Sequence, residues 1–214
     1  GVLRALAFTP YPALFNGIVH FSVDVTATAT GEQARCDIGI IVHPVNSPPA
    51  IDIDTSRVRY AATGGGARAG VRPNEDISLA GVIVLSDPDA EESSDAFGSS
   101  GVDAARLMLE VSCGTLSFGQ PGAHDFVGGV QNGSISAMEG LTFNQGDGVQ
   151  DRFVDVTTSI NHLNVQLQRL YYHSGNLCRG EDIVLTVELD DLGNFGAGGP
   201  LRAKRTAHWK ITEA

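Results

Sequence analysis

The stretch Ile183-Val184-Leu185-Thr186-Val187-Glu188-Leu189 decides the fold. Ile183, Leu185, Val187 and Leu189 fall on one side of an extended chain, the period-two pattern of a strand with one buried face. The same pattern stands earlier as Val19-His20-Phe21-Ser22-Val23-Asp24-Val25, at a constant offset of 164 residues (183 − 19 = 164). The match extends upstream, where Leu3, Leu6 and Phe8 line up with Leu167, Leu170 and Tyr172. An offset of that size is a whole domain, not a solenoid unit. The expected fold is all-β: a complete antiparallel β-sandwich of immunoglobulin or cadherin-like type over 51–214, a proline linker at 48–50, and residues 1–47 as the C-terminal half of a preceding sandwich. Half a sandwich cannot bury its own core. Residues 1–47 are therefore expected to be completed by a missing upstream segment or, in trans, by another molecule. The surface awaiting that partner is Val19, Phe21, Val23 and Val25, with Ile38 and Ile40 from the next strand.

The rest of the chain reads the same way. Leu107, Leu109, Val111 and Cys113 alternate with Met108, Glu110 and Ser112. Further strands are expected around 36–43, 51–60, 77–85, 115–119, 152–158 and 207–212. Turn signals separate them at Gly64-Gly65-Gly66, Asp87-Pro88-Asp89, Asn132-Gly133, Gly146-Asp147-Gly148 and Gly196-Ala197-Gly198-Gly199. Only Ile160 to Leu170 carries helical spacing, through Leu163, Leu167 and Leu170, and predicts one short helical turn leading into a strand. Pro48 and Pro49 remove two ladder donors, so the strand before them must end there.

Composition excludes several classes. With 25 acidic against 14 basic residues, a formal charge of −11, the chain is a poor partner for nucleic acid. No apolar run approaches the roughly 20 residues of a spanning helix. The six His residues are scattered, no His-x-x-x-His pair or nucleophile motif occurs, and no Gly-rich loop is followed by Lys-Ser/Thr. An enzyme is not expected. One Trp, Trp209, and four Tyr make a carbohydrate-binding sandwich a weaker alternative. Cys113 is in phase with Val111, and Cys178 precedes the strand at 183; they are either a disulfide in an oxidising compartment or two buried thiols. Cys36 lies in the half domain. Asn132-Gly133-Ser134 is an N-glycosylation acceptor triplet, so a glycan is a candidate partner.

Six motifs in order then carry a resemblance. Val45-Asn46-Ser47-Pro48-Pro49 resembles the Val-Asn-Asp-x-Pro linker of cadherin-like repeats, and Pro73-Asn74-Glu75-Asp76 the opening of the next repeat. Leu85-Ser86-Asp87-Pro88-Asp89-Ala90, Cys113-Gly114-Thr115-Leu116, the run Asn164 to Tyr172, and Asp190-Asp191-Leu192-Gly193-Asn194 follow in the family's sequence. The chain resembles the cadherin-like tandem repeats of large extracellular adhesins, related to proteoglycan-type repeats. That resemblance implies an extracellular or cell-surface protein with structural or adhesive work and no catalysis. It implies assembly end to end, with copies of itself in a filament or with adjacent repeats as a stiff spacer. It also implies Ca2+ at the junction, with Asn46, Glu75, Asp87 and Asp89 as the ligand set. The chemistry is consistent, since calcium takes oxygen ligands; the plain reading of Asp87-Pro88-Asp89 is an ordinary turn. Ser47 stands where the family has Asp, which removes one charge from the site.

Overall fold

The computed structural model describes residues 7, 9, 17–43, 45–60, 76–89, 104–119, 140–178, 180–193 and 197–210. Glu75, Asn132 and the Gly64–Gly66 turn lie outside the described residues.

β1 (Gly17–Thr26) and β2 (Gln33–Val42) form an antiparallel hairpin. After the prolines come β3 (Ala50–Ile53), β4 (Arg59–Tyr60), β5 (Asp76–Ser78) and β6 (Ile83–Ser86). Then follow β7 (Ala104–Val111), β8 (Thr115–Phe118), β9 (Thr142–Gln145) and β10 (Phe153–Ser159). Helix α1 (Ile160–Leu167) leads into β11 (Leu170–His173), and β12 (Asp182–Asp190) and β13 (Arg202–Lys210) close the chain. The order β13-β12-β7-β10-β9 makes a five-stranded antiparallel sheet; β4-β5-β11-β8 and the pair β3-β6 make the layer against it. This is an all-β sandwich.

Register explains the core. Leu185, Val187 and Leu189 of β12 stand opposite Val111, Leu109 and Leu107 of β7, and Val154 and Val156 of β10 meet Leu109 and Leu107 from the other side. Directly opposed residues share a face, so one continuous apolar surface forms. It packs on Ile51, Ile77, Ile83, Leu85, Leu116, Phe118, Leu170 and Tyr172 of the second layer. Each core side chain removed from water contributes roughly 1.5–3 kcal/mol.

Several expected strands are divided. The run 51–60 breaks at Asp54, whose carboxylate accepts from the Ser56 amide (3.0 Å) and caps the 3-10 turn Thr55–Arg57. The run 77–85 becomes β5 and β6 because Gly81 takes φ +72° in the turn between them. The last strand starts at Arg202, earlier than the expected 207, because exposed Arg202, Lys204 and Arg205 hide its alternation. Cys113 sits beyond the end of β7, in a bend rather than on the strand. The next residue, Gly114, has φ +82°, and a Cβ there would lie 2.7 Å from the Tyr172 ring, so only glycine fits.

The expected helical turn is α1, with Ser159 as its N-cap (His162 N–H to Oγ, 3.2 Å). Its burial of Ile160, Leu163 and Leu167 closes one end of the core. Asn164 gives the helix a second task. Its Oδ1 accepts from Leu85 N–H (2.9 Å) and its Nδ2 donates to Leu85 C=O (2.8 Å), so one amide takes the place of a neighbouring strand beside β6. Asn164→Ala is expected to cost about 1–3 kcal/mol, because both Leu85 groups lose their partner; chemical denaturation of the pair of proteins checks it.

Two further constraints hold the sandwich. Cys113 and Cys178 form a disulfide that closes a separation of 65 residues, which in the chain-entropy description stabilises by about 4 kcal/mol. Reduction is expected to lower the denaturation midpoint accordingly. Across β7 and β10, the Arg106 guanidinium is paired with Asp155, and Asn144 donates to the same carboxylate (2.9 Å). Arg106, then Asn144, holds the Asp155 carboxyl below its usual range against the opposing effect of burial. A depressed folded-state value means the contribution is full above the unfolded value near pH 4 and is lost as pH falls through the folded value. Arg106→Met is therefore expected to cost about 1–3 kcal/mol at pH 7 and much less at pH 2–3, read as urea midpoints across that range.

Candidate functional site

The hairpin β1–β2 is an open surface. Its register sets Val19, Phe21, Val23 and Val25 opposite Ile40, Ile38, Cys36 and Ala34. All eight therefore share one face, and the six residues expected as an assembly surface are brought together on it. The other face pairs His20 with Gly39, Ser22 with Asp37 and Asp24 with Arg35, and at its end Ile18 with Ile41, both exposed. There Arg35 donates to Asp37 (3.1 Å) and Ser22 (3.0 Å), exposed contacts of small energetic weight. Among the described residues, β1 and β2 pair with each other and with no other strand.

The second copy shows what such a hairpin does when covered. Val19, Phe21, Val23 and Val25 correspond to Ile183, Leu185, Val187 and Leu189, all at 0% exposure. In the hairpin, Val25 is 59% and Ile38 46% exposed. Val19, Phe21 and Val23 are half-buried, so the same pattern is fully buried once and half-buried to exposed once within one chain.

The second site is the junction. The linker residues Val45, Asn46 and Ser47 lie along the β12–β13 loop, with a parallel bridge from Val45 to Ala197 and a hydrogen bond from Asn46 N–H to Ala197 C=O (2.9 Å). Asn46 is buried, and its Nδ2 donates to Asp191 Oδ2 (2.7 Å) and to Gly199 C=O (2.7 Å). Ser47 N–H donates to Asp89 Oδ2. Asp89 N–H in turn donates to Asp87 Oδ1 (2.9 Å), the expected turn. Of the four expected ligands, the structure thus places Asn46, Asp87 and Asp89 together; Glu75 lies outside the described residues.

The sequence reading left out Asp190 and Asp191 as site residues. Both are buried, at 2% and 0% exposure. Asp191 Oδ1 accepts from Gly193 and Leu201 N–H (2.8 Å each), and Asp190 accepts from Leu192 N–H (2.8 Å) while its other oxygen pairs with Arg202 (2.8 Å). Leu192 (φ +59°) and Gly193 (φ +66°) are consecutive left-handed residues that turn the loop back; a Cβ on Gly193 would lie 2.8 Å from Pro200 N. A signal was available. The turn between β1 and β2 spans 27–32, and its counterpart spans 191–201, five residues longer. That insertion is the part that reaches the linker.

The oxygen-rich donor set suits a hard cation. Asn46 Oδ1 is buried without a hydrogen-bond partner. Turning the amide over would aim Oδ1 at Asp191 and Gly199, three oxygens that only a cation can join; with Nδ2 there, the amide itself makes the join. Among the described residues no group of three or more His, Cys, Asp or Glu is arranged to hold a metal, so amide and carbonyl oxygens would have to complete the shell. Elsewhere, a shallow cavity of about 360 Å³ runs beside α1, lined by Asn161, His162, Val165, Gln166 and Arg169. No described helix is long and apolar enough to cross a membrane.

No family model and no curated protein matches the chain. A solved structure described as the complete structure of manganese lipoxygenase of Gaeumannomyces graminis and partial structure of zonadhesin of Komagataella pastoris is similar at a TM-score of 0.30 and 10% identity. The superposition covers 91% of this chain and 55% of that one, so the chain spans about half its length. A likeness at that score carries no argument about fold or function.

Asn46→Ala removes both side-chain bonds from the linker to the loop. We expect the amides of 45–47 and 197–201 to exchange about tenfold faster or more, with the β7–β12 core amides unchanged, as measured by hydrogen exchange.

Proposed function

We propose that this chain is a non-catalytic, extracellular structural or adhesive protein, a cadherin-like repeat unit joined end to end into a fibre or stiff array by completing the hairpin β1–β2 with a neighbour. The observation that carries this reading is the contrast within the chain: the face that β12–β13 buries against the second layer, with β7 paired alongside, is half-buried to exposed on β1–β2. A two-stranded hairpin is marginal by itself in water, and an exposed apolar sheet face favours association. A head-to-tail contact that does not close produces an open filament. The Cys113–Cys178 disulfide suits an oxidising, extracellular setting.

Light scattering and negative-stain microscopy of the chain test this. Assemblies longer than a dimer are expected. Phe21→Asp or Ile38→Asp should abolish them while leaving the melting of the 51–214 sandwich unchanged. A chain that stays monomeric, with the hairpin amides exchanging freely, would overturn the reading.

A second reading, a calcium-stiffened spacer, is supported by the buried, unpartnered Oδ1 of Asn46, whose amide nitrogen is on Asp191 and whose neighbour Ser47 is on Asp89. Asn46, Asp87, Asp89 and Asp191, with Glu75, would hold the ion, which would join the linker to the sandwich. A ligand bound only by the folded state at a hundred times its Kd stabilises by about 2.7 kcal/mol. Melting with Ca2+ against chelator should show a rise in Tm that Asp191→Asn removes; equal melting temperatures would leave the amide, rather than an ion, as what joins linker to loop.

A further inference from the structure

We infer that the hairpin takes its partner along the free edge of β1 and not along that of β2. The partner is the first half of a sandwich of this chain's own repeat type, presenting an antiparallel strand equivalent to β7. This deepens the reading that a neighbouring unit completes the hairpin, and rests on it.

The internal repeat supplies the register. Residues of β1 correspond to β12 at an offset of 164, and residues of β2 to β13 at 169 (209 − 40 = 169), the difference being the longer loop. In the complete sandwich β12 lies inside the sheet, between β13 and β7, and β13 is the edge. That edge carries Arg202, Lys204, Arg205 and Lys210, cations that discourage a further strand. Transferred to the hairpin, β1 is the strand that needs a neighbour. Phe21, Val23 and Val25 would then face the counterparts of Val111, Leu109 and Leu107, by the pairs Leu185↔Val111, Val187↔Leu109 and Leu189↔Leu107.

Side chains on both faces accept that placement. On the outer face, Ser22, Asp24 and Thr26 take the places of Thr186, Glu188 and Asp190, which meet Glu110, Met108 and Arg106. No like charges are opposed. On the inner face, the pair Phe21/Ile38 is larger than its counterpart Leu185/Ala207, while Val19/Ile40 is smaller than Ile183/Trp209. The two changes offset each other within one layer. Cys36 falls at the position of Arg205, which is exposed in the complete sandwich, so its thiol stays in water when the hairpin is covered.

The test fuses residues 51–166 ahead of Leu3, because residue 167 corresponds to residue 3, and compares amide exchange in the fused and unfused chains. We expect the β1 amides that point away from β2 to slow by about tenfold or more, the outward amides of β2 to remain fast, and Cys36 to alkylate at an unchanged rate. A second fusion carrying 167–210 in place of 3–41 duplicates the folded sandwich itself and shows that such a fusion closes. Protection of β2 instead of β1, or of neither strand while the second fusion is protected, would overturn the inference. Failure of the array reading is separate: it appears as a monomeric unfused chain by light scattering, whatever the fused chain does.

Discussion

The pairing of β12 with β7 is the contact on which the sandwich depends. It brings Leu185, Val187 and Leu189 against Val111, Leu109 and Leu107, and it makes β12 an interior strand, with β13 on its other side. Without it, the closing hairpin would be what β1–β2 is among the described residues: two well-registered strands paired only with each other. Period-two alternation commits a strand to having a covered side, but it does not say where the cover comes from. A register shift of one residue on β7 would turn every core side chain of β12 outward. Hydrophobic burial therefore fixes the register as firmly as the hydrogen bonds do.

The linker is held by polar contacts of another kind. β2 ends at Val42, and before the prolines at 48 and 49 Asn46 and Ser47 enter a notch between the β12–β13 loop and the turn at Asp87–Asp89. The carboxylates there accept backbone N–H groups: Asp87 shapes the turn by accepting from Asp89, and Asp89 grips the linker by accepting from Ser47. Asp191 does both at once, with Oδ1 on Gly193 and Leu201 and Oδ2 on Asn46. Burying such groups is costly unless they are satisfied, and the one side-chain atom of Asn46 left unsatisfied, Oδ1, marks where the joint has capacity to spare.

Much of this was legible from residues alone, for physical reasons. Alternation exposes strands such as β7 and β12 because each buries one face completely. It fails at β13, where Arg202, Lys204 and Arg205 crowd an edge, and in 51–60 and 77–85, where Asp54 and Gly81 interrupt the ladder without changing the apolar pattern. The helix was visible from Leu163, Leu167 and Leu170, but not the bidentate grip of Asn164 on Leu85, because a side chain standing in for a strand leaves no periodicity. Of the junction, Asn46, Asp87 and Asp89 were readable from motifs; Asp190 and Asp191 were not, since their role arises only when the longer loop folds back at Leu192 and Gly193 onto a linker some 145 residues away in sequence. Cys113 and Cys178 were identifiable as candidates, but their union depends on a bend at Cys113 that places it off the strand.

An apolar sheet face in water invites indiscriminate association, and the hairpin limits it by its own construction. Its second face carries Ser22, Asp24, Arg35 and Asp37 in one connected set, with the exposed Ile18/Ile41 pair at one end, so stacking through the middle of that face would bury charge. Its first face is only partly covered by cross-strand neighbours, and the pairs along it differ in size, from Val25/Ala34 at one end to Phe21/Ile38 in the middle. A partner that satisfies the backbone edge of β1 while shifted by two residues keeps its apolar residues inward but sets its large side chains against the wrong pairs, leaving gaps, and each methyl-sized void costs on the order of 1 kcal/mol. Hydrogen bonding along the edge tolerates such shifts; packing against a graded face does not. For the proposed partner, selectivity for one register would therefore reside in the side-chain volumes of the face rather than in the strand edge that the partner first meets.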